Sequence, residues 1–250
     1  MISVVILGSG NVATHLTRAF LKANAIDVVQ VYSRNLKNID YLKKRTSITD
    51  DLENLKDADV YIISITDDAI DEFSKRFDVE GKIVVHTSGS VSMNALKGNY
   101  DKGVFYPLQT FTKDTKVKFK KIPICIESST KKGLILLEKL ASSISKSVFT
   151  IDSKQREKLH LSAVFVNNFA NHLYQIGNEI CEQNNVPFEV LYPLIKETAK
   201  KVTRLSPKEI QTGPAKRNDV KVMEKQLSQL SDHQKEIYKL LSASILKTHK

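Results

Sequence analysis

The most chemically specific pattern in the sequence is a glycine turn, Gly8–Ala13 (GSGNVA), placed directly after a short apolar run. Gly8 permits a tight turn, Gly10 lets a diphosphate approach the backbone, and Ala13 lets a helix pack closely on a strand. Phosphate oxygens would meet the free N–H groups and positive dipole end of that helix. A second apolar run follows about 20 residues later, which favours dinucleotide binding over a glycine turn without a ligand. The predicted contacts in this turn are Gly8, Ser9, Gly10, Asn11 and Val12.

The residues after the second apolar run distinguish between the two nicotinamide dinucleotides. Domains that prefer NAD place an acidic residue there to bind the adenosine ribose, whereas this chain has Ser33, Arg34 and Asn35. A carboxylate would repel a 2′-phosphate, and a hydroxyl with a guanidinium would bind it through charge-assisted contacts. The sequence therefore predicts NADP as the cofactor. The alternative is that Arg34 is an ordinary surface arginine.

Polar residues also follow the next apolar run, at the end of a predicted strand. Because ligands of doubly wound sheets lie beyond the carboxyl ends of the strands, we expect Ser64, Ile65 and Thr66 near the nicotinamide ribose. The two aspartates that come next, Asp67 and Asp68, are equally suited to capping the following helix.

A further polar loop, HTSGS, begins at His86, and the loop YPLQTF begins at Tyr106. Ser88 offers a hydroxyl to a substrate, and Gly89 lets backbone donors come close to it. The alternative is a polar turn in which Ser90 or Ser92 caps the next helix.

A long helical segment, Leu159–Ile180, carries apolar residues around most of its circumference and is predicted to be buried, with a second subunit as one partner. At 100° per residue His160, Asn167 and Asn171 fall within about 20° of one line, with Asn168 about 80° from His160. Left unpaired, each buried polar group would cost about 1–3 kcal/mol. They either pair with one another or the backbone, or line a substrate pocket between domains. There His160 would donate a proton and an asparagine would orient a carbonyl or imine.

The elements that position these residues change character near Ile151. Before it, nearly continuous apolar runs alternate with helical patterns, which predicts a parallel doubly wound sheet. The predicted strands are Ile2–Leu7, Val28–Tyr32, Val60–Ile65, Ile83–His86, Val104–Tyr106 and Ile122–Ile126, and the predicted helices are Asn11–Ala23, Ala69–Phe77 and Lys131–Ser145. After it, the spacing is helical almost throughout, and Val222–Leu246 is predicted as one closing amphipathic helix. We therefore predict an α/β Rossmann domain at 1–150 and an all-helical substrate and dimerisation domain at 151–250.

Composition sets further limits. With 41% hydrophobic and 26% charged residues, the chain of 250 residues resembles an ordinary globular protein. It has neither an apolar run of about 20 residues nor the opening of a signal peptide. Cys125 and Cys181 lack metal-ligand spacing and are predicted to be reduced core thiols, so a cytoplasmic protein without metal or membrane partner is expected. The net charge of +10 is spread over scattered lysines, which favours solvated helix faces and attraction of a phosphorylated cofactor over binding of nucleic acid.

Several segments resemble a bacterial family that joins an NADP-binding Rossmann-like domain to a helical domain of unknown function. The matching segments, which span nearly the whole chain, are GSGNVA, HTSGS, YPLQTF, LHLSAVFVNN and TGPAKRND. More distantly, the layout is similar to pyrroline-5-carboxylate reductase, prephenate dehydrogenase and the β-hydroxyacid dehydrogenases. The resemblance implies an NADP-dependent oxidoreductase acting on a small polar carbonyl, hydroxyl or imine compound, working as a dimer. A catalytically silent nucleotide-binding regulatory or scaffold protein is the alternative function.

The resemblance also assigns residues, with some departures. Ser88 and Gly89 match the substrate-loop serine and glycine of the hydroxyacid dehydrogenases, and His160 and Asn168 match the histidine and asparagine of the long helix. The hydroxyacid dehydrogenases have a lysine on that helix, where this chain offers only His160. Tyr106 stands before a proline where prephenate dehydrogenases have histidine.

Overall fold

The computed structural model describes residues 1–249. Its first part is built on one eight-stranded sheet with the order β3-β2-β1-β4-β5-β6-β7-β8. The strands are β1 (Ile2–Leu7), β2 (Ile26–Tyr32), β3 (Ser47–Thr49), β4 (Val60–Ile63), β5 (Ile83–His86), β6 (Asp101–Pro107), β7 (Ile124–Ser128) and β8 (Val148–Thr150).

The predicted doubly wound sheet is confirmed, and it is parallel at every pairing but one. β6 and β7 run antiparallel, with Pro107 opposite Ile124, whereas all other neighbouring strands are parallel. The segment between them contains a single turn of 3-10 helix, Phe119–Lys121, and no α-helix. The crossover helix that brings a chain back for another parallel strand is therefore missing at this point.

Helices cover both faces of the sheet, as a doubly wound fold requires. On β1, Val4 and Ile6 pack into a cluster with residues of α1 (Asn11–Phe20) and α3 (Lys131–Ile144). Val5 and Leu7 point the other way, into a cluster with α2 (Ile70–Ser74). Because alternate side chains enter opposite cores, the central strand β4 is apolar and buried at all four of its positions.

The chain divides into two compact units, Met1–Val164 and a second unit that begins at Phe165. The first unit ends with α4 (Ser153–Ala163). The boundary predicted near residue 150 remains a prediction. The helices of the second unit are α5 (Ala170–Gln183), α6 (Tyr192–Val202), α7 (Pro207–Ile210), α8 (Pro214–Arg217), α9 (Val220–Leu227) and α10 (Asp232–His249). The closing helix predicted at Val222–Leu246 is therefore two helices.

The long helical segment departs from its prediction in its geometry. A π-helical turn spans Val164–Phe169 between α4 and α5. Its i→i+5 bonding adds about one residue per turn, so the polar stripe drawn at 100° per residue does not continue past that turn. Within one chain 63% of Phe165 and 78% of Val166 are exposed, and burial of this segment against a second subunit remains a prediction. In the described part of the chain, no helix combines the length and the apolar character that a bilayer crossing requires.

Candidate functional site

The glycine turn lies where the strand order reverses. The chain places β2 on one side of β1 and β4 on the other, which opens a crevice at the carboxyl ends of β1 and β4. Gly8 N–H donates to the carbonyl of Tyr32 (2.9 Å), and the Ser64 N–H donates to the carbonyl of Leu7 (2.8 Å). A Cβ on Gly8 would lie 2.1 Å from the Ser64 carbonyl oxygen, and the Gly8 φ of +140° is one that side chains rarely adopt. Only glycine fits there.

The N-terminus of α1 is open to an anion. Gly10 is the N-cap, no side chain caps the helix, and its first turn contains no acidic residue. A Cβ on Gly10 would meet no atom within 4 Å, which shows free space above the turn. The first N–H groups of any α-helix lack an acceptor within the helix, and the positive end of the helix dipole lies at this same turn. The turn therefore fits a diphosphate.

The side chains of two predicted cofactor contacts in this turn, Asn11 and Val12, interact with other parts of the protein. The Asn11 side-chain amide donates to the carbonyl of Phe111 at 2.9 Å, which ties α1 to the loop after β6. Val12 is half-buried and packs against the core. Both residues can still donate a backbone N–H to a diphosphate. The Asn11 side chain is not available for it, because it binds the loop after β6.

The end of β2 combines an ordered turn with an unpaired cation. The buried Ser33 hydroxyl contacts the Ser9 hydroxyl at 2.9 Å and the Asn35 carbonyl at 3.0 Å. The Asn38 amide lies 3.5 Å from the Ser9 hydroxyl. Arg34 is exposed and has no hydrogen-bond or ion-pair partner among residues 1–249. Ser33 thus holds the turn, and the exposed cations at this corner that lack a side-chain partner among the described residues are Arg34 and Lys37.

The loops after β4 and β5 are joined by one carboxylate. Asp67 accepts hydrogen bonds from the hydroxyls of Ser88 (2.8 Å) and Ser90 (2.6 Å). The Ser88 oxygen also accepts from the N–H groups of Ser90 and Val91. Since its proton and its lone pairs are engaged, the Ser88 hydroxyl shapes the loop, and its predicted role as a substrate contact remains a prediction.

The neighbouring polar residues have local roles. Thr66 is the N-cap of the 3-10 turn Asp67–Ala69, and the buried hydroxyl of Ser64 accepts from Thr87 at 3.1 Å. Ile65 is half-buried, with Cγ2 3.4 Å from the Cβ position of Gly8. Ser92 caps the next 3-10 turn by accepting a hydrogen bond from the Asn94 N–H. This is the capping role predicted from the sequence as the alternative to substrate binding.

A tyrosine and a histidine meet beside Gly89. The Tyr106 hydroxyl, at the end of β6, lies 3.0 Å from Nδ1 of His160 on α4. A Cβ on Gly89 would lie 2.5 Å from that Nδ1 and 2.8 Å from the Tyr106 ring, so this glycine makes room for the two rings. Both loops and His160 were singled out from the sequence. The contact between Tyr106 and His160 was not predicted, because the two residues are 54 positions apart and no local pattern links them.

Burial shapes the titration of the groups around this pair. Burial raises the pKa of Tyr106 to about 12, with a smaller contribution from Cys125, so the phenol keeps its proton at neutral pH. Burial and then the Arg156 charge lower the pKa of fully buried His86 to about 4. His86 Nδ1 accepts from the Ser88 N–H, which leaves Nε2–H to donate to the Ser92 carbonyl. His86 is therefore neutral and holds the loop in place through hydrogen bonds at both ring nitrogens.

The two predicted asparagines lie in the second unit. Asn167 and Asn168 are exposed residues of the π-helical turn, and their predicted roles toward a substrate remain predictions. Neither cysteine is in a disulfide: Cys125 is buried and Cys181 half-buried. Residues 1–249 contain no group of three His, Cys, Asp or Glu side chains that could hold a metal ion.

Comparison with known proteins gives two matches to domain families and several solved structures with a similar fold. Residues 3–89 match the domain described as "NADP oxidoreductase coenzyme F420-dependent", and residues 122–245 match a domain of unknown function, DUF2520. A crystal structure from Bacteroides fragilis, described as a "putative NADP oxidoreductase", is 42% identical. It aligns over 98% of both chains with a TM-score of 0.88. No curated protein matches the chain.

Two more distant structures show the fold alone. An imine reductase from Myxococcus stipitatus in complex with NADP+ is 14% identical, with a TM-score of 0.67 over 98% of this chain and 92% of that one. A reductive aminase from Aspergillus terreus in complex with NADPH and ethyl levulinate is 15% identical, with a TM-score of 0.71 over 99% and 93%.

Proposed function

The chain belongs to the family that joins an NADP-oxidoreductase domain to the helical DUF2520 domain, and from that premise we propose that it is an NADP-dependent oxidoreductase. Its proposed reaction transfers a hydride between NADPH and a small polar carbonyl, hydroxyl or imine compound. The observation that carries the proposal is the glycine turn at the strand-order reversal, with open space above Gly10 and an uncapped helix behind it.

The preference for NADP rests on the end of β2. Arg34 is a free cation there, directly after Ser33, and the turn that presents it is held by Ser33 and Ser9. A guanidinium can make two parallel hydrogen bonds to a phosphate, and hydrogen bonds to charged groups contribute about 1.5–3 kcal/mol. NADH has no phosphate at this position. We therefore assign Arg34 the discrimination between the two cofactors, with the exposed Asn35 beside it as a second contact.

Calorimetric titration of the wild-type chain with NADPH and NADH tests this assignment. We expect NADPH to bind at least about tenfold more tightly, which corresponds to about 1.4 kcal/mol. Arg34→Ala should remove most of that ratio by weakening NADPH binding and leaving NADH unchanged.

Lys44→Ala is the matched control, because Lys44 is an exposed cation of the same unit without a partner among the described residues. It lowers the net charge equally and should preserve the ratio. Equal affinities of the wild type for the two nucleotides would show that Arg34 does not select the cofactor. Coenzyme F420 belongs in the same titration, since the name of the matched domain includes it.

The proposed proton donor is His160, with Tyr106 as its partner. When bound, NADPH supplies the hydride, so the protein must orient the substrate and provide one proton. We assign the Tyr106 phenol as the donor to Nδ1 of His160, which leaves the His160 proton on Nε2. When Nε2 gives that proton to a carbonyl or imine substrate, Nδ1 takes the phenol proton, and solvent returns a proton to Tyr106. The further proposed substrate contacts are Ser88, Gly89, Asn167 and Asn168.

A substrate panel tests the reaction class. Imines, ketoacids and hydroxyacids are offered with NADPH or NADP, and the nicotinamide absorbance is followed. We expect at least one compound to turn over, with His160→Ala abolishing turnover and keeping NADPH affinity. Tyr106→Phe should lower kcat by less, since it removes only the hydrogen bond that orients the ring. Tight NADPH binding without turnover of any compound would favour the regulatory alternative.

The helical unit is proposed to form a homodimer. Most of the large apolar side chains that are strongly exposed lie after residue 164, among them Phe165, Val166 and Leu194. A large set of exposed apolar side chains is expected at an interaction site, since soluble monomers rarely expose large apolar patches. A second copy is the proposed occupant, because every copy exposes the same helices. Light scattering should give the mass of two chains, and a monomer at micromolar concentration would contradict the proposal.

A further inference from the structure

One buried arginine ties α4 to the rest of the first unit. Arg156 is 1% exposed and lies one helical turn before His160, on the same face of α4. Its Nη1 binds the Glu127 carboxylate on β7, and its Nη2 donates to the carbonyl of Val91 at 2.5 Å. The guanidinium thus holds a strand, a loop and a helix at once.

The start of α4 uses the same carboxylate. The Ser153 N–H donates to Glu127 at 3.0 Å, and the Ser153 hydroxyl donates to it at 2.8 Å. The Met93 N–H donates in turn to the Ser153 hydroxyl at 3.0 Å. Ser153, Arg156 and His160 are spaced by three and four residues, so they form one polar stripe that faces the sheet.

The opposite face of α4 makes no comparable attachment within the first unit. Lys154, Glu157 and Lys158 are exposed, and the ion pair between the last two is loose at 3.8 Å. On the inner side, Leu159 packs only as a half-buried member of a small cluster around Tyr106 and Cys125. The rotation of α4 about its axis is therefore held mainly by the contacts of Ser153 and Arg156.

We propose that Arg156 is a positioning residue that, through Glu127 and the Val91 carbonyl, holds the imidazole of His160 against Tyr106 and Gly89. This inference rests on the proposed function of His160. The loop that supplies Val91 also supplies Gly89, whose missing Cβ leaves the space for the imidazole. One guanidinium thus fixes both the helix that carries His160 and the loop that receives it.

Charge supports the same assignment. The Arg156 charge lowers the pKa of Tyr106, against the larger effect of burial, which raises it. The guanidinium also disfavours protonation of His86, which hydrogen-bonds the same loop. The Arg156 Nε is buried without a hydrogen-bond partner among the described residues, an arrangement that stability alone does not favour.

The test uses the full chain and needs no known substrate. Nitrogen-15 NMR of labelled histidine reports which ring nitrogen of His160 carries the proton, and His160→Gln assigns the signal. In the wild type we expect one tautomer, with the proton on Nε2. In Arg156→Met we expect a mixture of both tautomers, because His160 no longer stays against the Tyr106 hydroxyl. Arg156→Lys should be intermediate, since an ammonium cannot bind Glu127 and the Val91 carbonyl with the fork geometry of a guanidinium.

Lys154→Met is the matched control, because it removes a cation from the exposed face of the same helix and should leave the tautomer unchanged. If Arg156→Met alone does not fold, the double variant Arg156→Met with Glu127→Gln removes the half-buried carboxylate that has lost its cation, and the same mixture is expected there. A wild-type His160 signal in the folded Arg156→Met or double variant would overturn the proposal.

A second readout separates this inference from the proposed function. NADPH affinity should stay within about twofold in all Arg156 variants, because the glycine turn is built from other residues. With a substrate in hand, Arg156→Met should lower kcat by about 10²-fold, as for a misplaced catalytic group, with little change in KM. If wild-type chain fails to bind NADPH, the cofactor assignment fails while the tautomer experiment still decides the role of Arg156.

Discussion

The two compact units differ in where their apolar side chains lie. In the first unit, the strands carry fully buried residues such as Val5, Ile62 and Phe105, packed into clusters on both faces of the sheet. In the second unit, Ala215 is the one buried hydrophobic residue among those described, and side chains as large as Phe165 are mostly exposed. The first unit therefore contains its own core, and the second has apolar helices without one.

This difference assigns separate tasks to the two units. A closed core can hold the glycine turn, Arg34 and the Tyr106–His160 pair in fixed geometry within one chain. Burial of apolar area is the main favourable term in folding. Helices that expose one-half or more of their large apolar residues therefore depend for their folding free energy on another surface that covers those residues. Stability of the second unit should therefore depend on protein concentration, and stability of the first should not.

The largest expected effect is a core truncation in the first unit. Phe105→Ala removes a fully buried ring that packs against Phe20 and should cost about 3–5 kcal/mol of the free energy of unfolding. Phe165→Ala, at a ring that is 63% exposed in one chain, should cost far less in dilute protein. Urea unfolding at low concentration measures both. Similar losses for the two variants would contradict the distinction between the units.

Acid should destabilise the first unit through His86. Its folded pKa of about 4 lies below the ordinary 6.5, so between these values the unfolded chain binds a proton that the folded chain does not. The stabilisation is therefore complete above pH 6.5 and falls by about 3 kcal/mol as the pH drops to 4. Urea unfolding across this range should show the slope, and His86→Asn should remove most of it. The exposed His233→Asn in the second unit should leave it unchanged.

The apolar helices of the second unit can be tested with a charge. Val166→Asp should weaken dimerisation by at least about tenfold, because burying one aliphatic side chain contributes about 1.5–3 kcal/mol. Ile135→Asp places the same charge on an exposed aliphatic of the first unit and serves as the control. Sedimentation velocity over a dilution series distinguishes them. A Val166→Asp dimer as tight as the wild type would exclude this surface from the interface.

The smallest expected effect concerns the space beside His160. Gly89→Ala introduces a methyl group 2.5 Å from the position of Nδ1 and should cost about 1–3 kcal/mol as the rings are displaced. Gly177→Ala in the second unit meets nothing closer than 3.7 Å and should be neutral or slightly stabilising, since alanine favours helix. Thermal unfolding of the two variants provides the comparison, and an unaffected Gly89→Ala would show that the rings have room to spare.

The sequence predicted the parts of the fold that are locally encoded. Ile2–Leu7 and Ile83–His86 were predicted with the bounds that the structure shows, because each is a buried apolar run between clear breaks. Ser47–Thr49 and Val148–Thr150 were missed, since three residues at the two edges of a sheet carry no distinct period. The strand predicted at Ile122–Ile126 is present as β7, two residues later, but its antiparallel direction was missed because direction depends on the long connection before it.

The site divides in the same way. The glycine turn could be located and Arg34 could be proposed from the sequence, because a phosphate-binding turn needs residues that are close in sequence; the role of Arg34 remains a proposal. The Tyr106–His160 hydrogen bond and the Arg156–Glu127 ion pair join residues 54 and 29 positions apart, and only the packing of α4 on the sheet brings them together. No residue pattern at Val164–Phe169 predicts the π-helical turn there.

Hydrogen–deuterium exchange of the full chain, with and without saturating NADPH at two protein concentrations, tests the central claim most directly. NADPH should slow exchange of the amides in Gly8–Ala13 and around Arg34 by the same factor at both concentrations. Dilution should speed exchange in Phe165–Gln183 and leave the glycine turn unchanged. A glycine turn whose exchange NADPH does not slow would contradict the account.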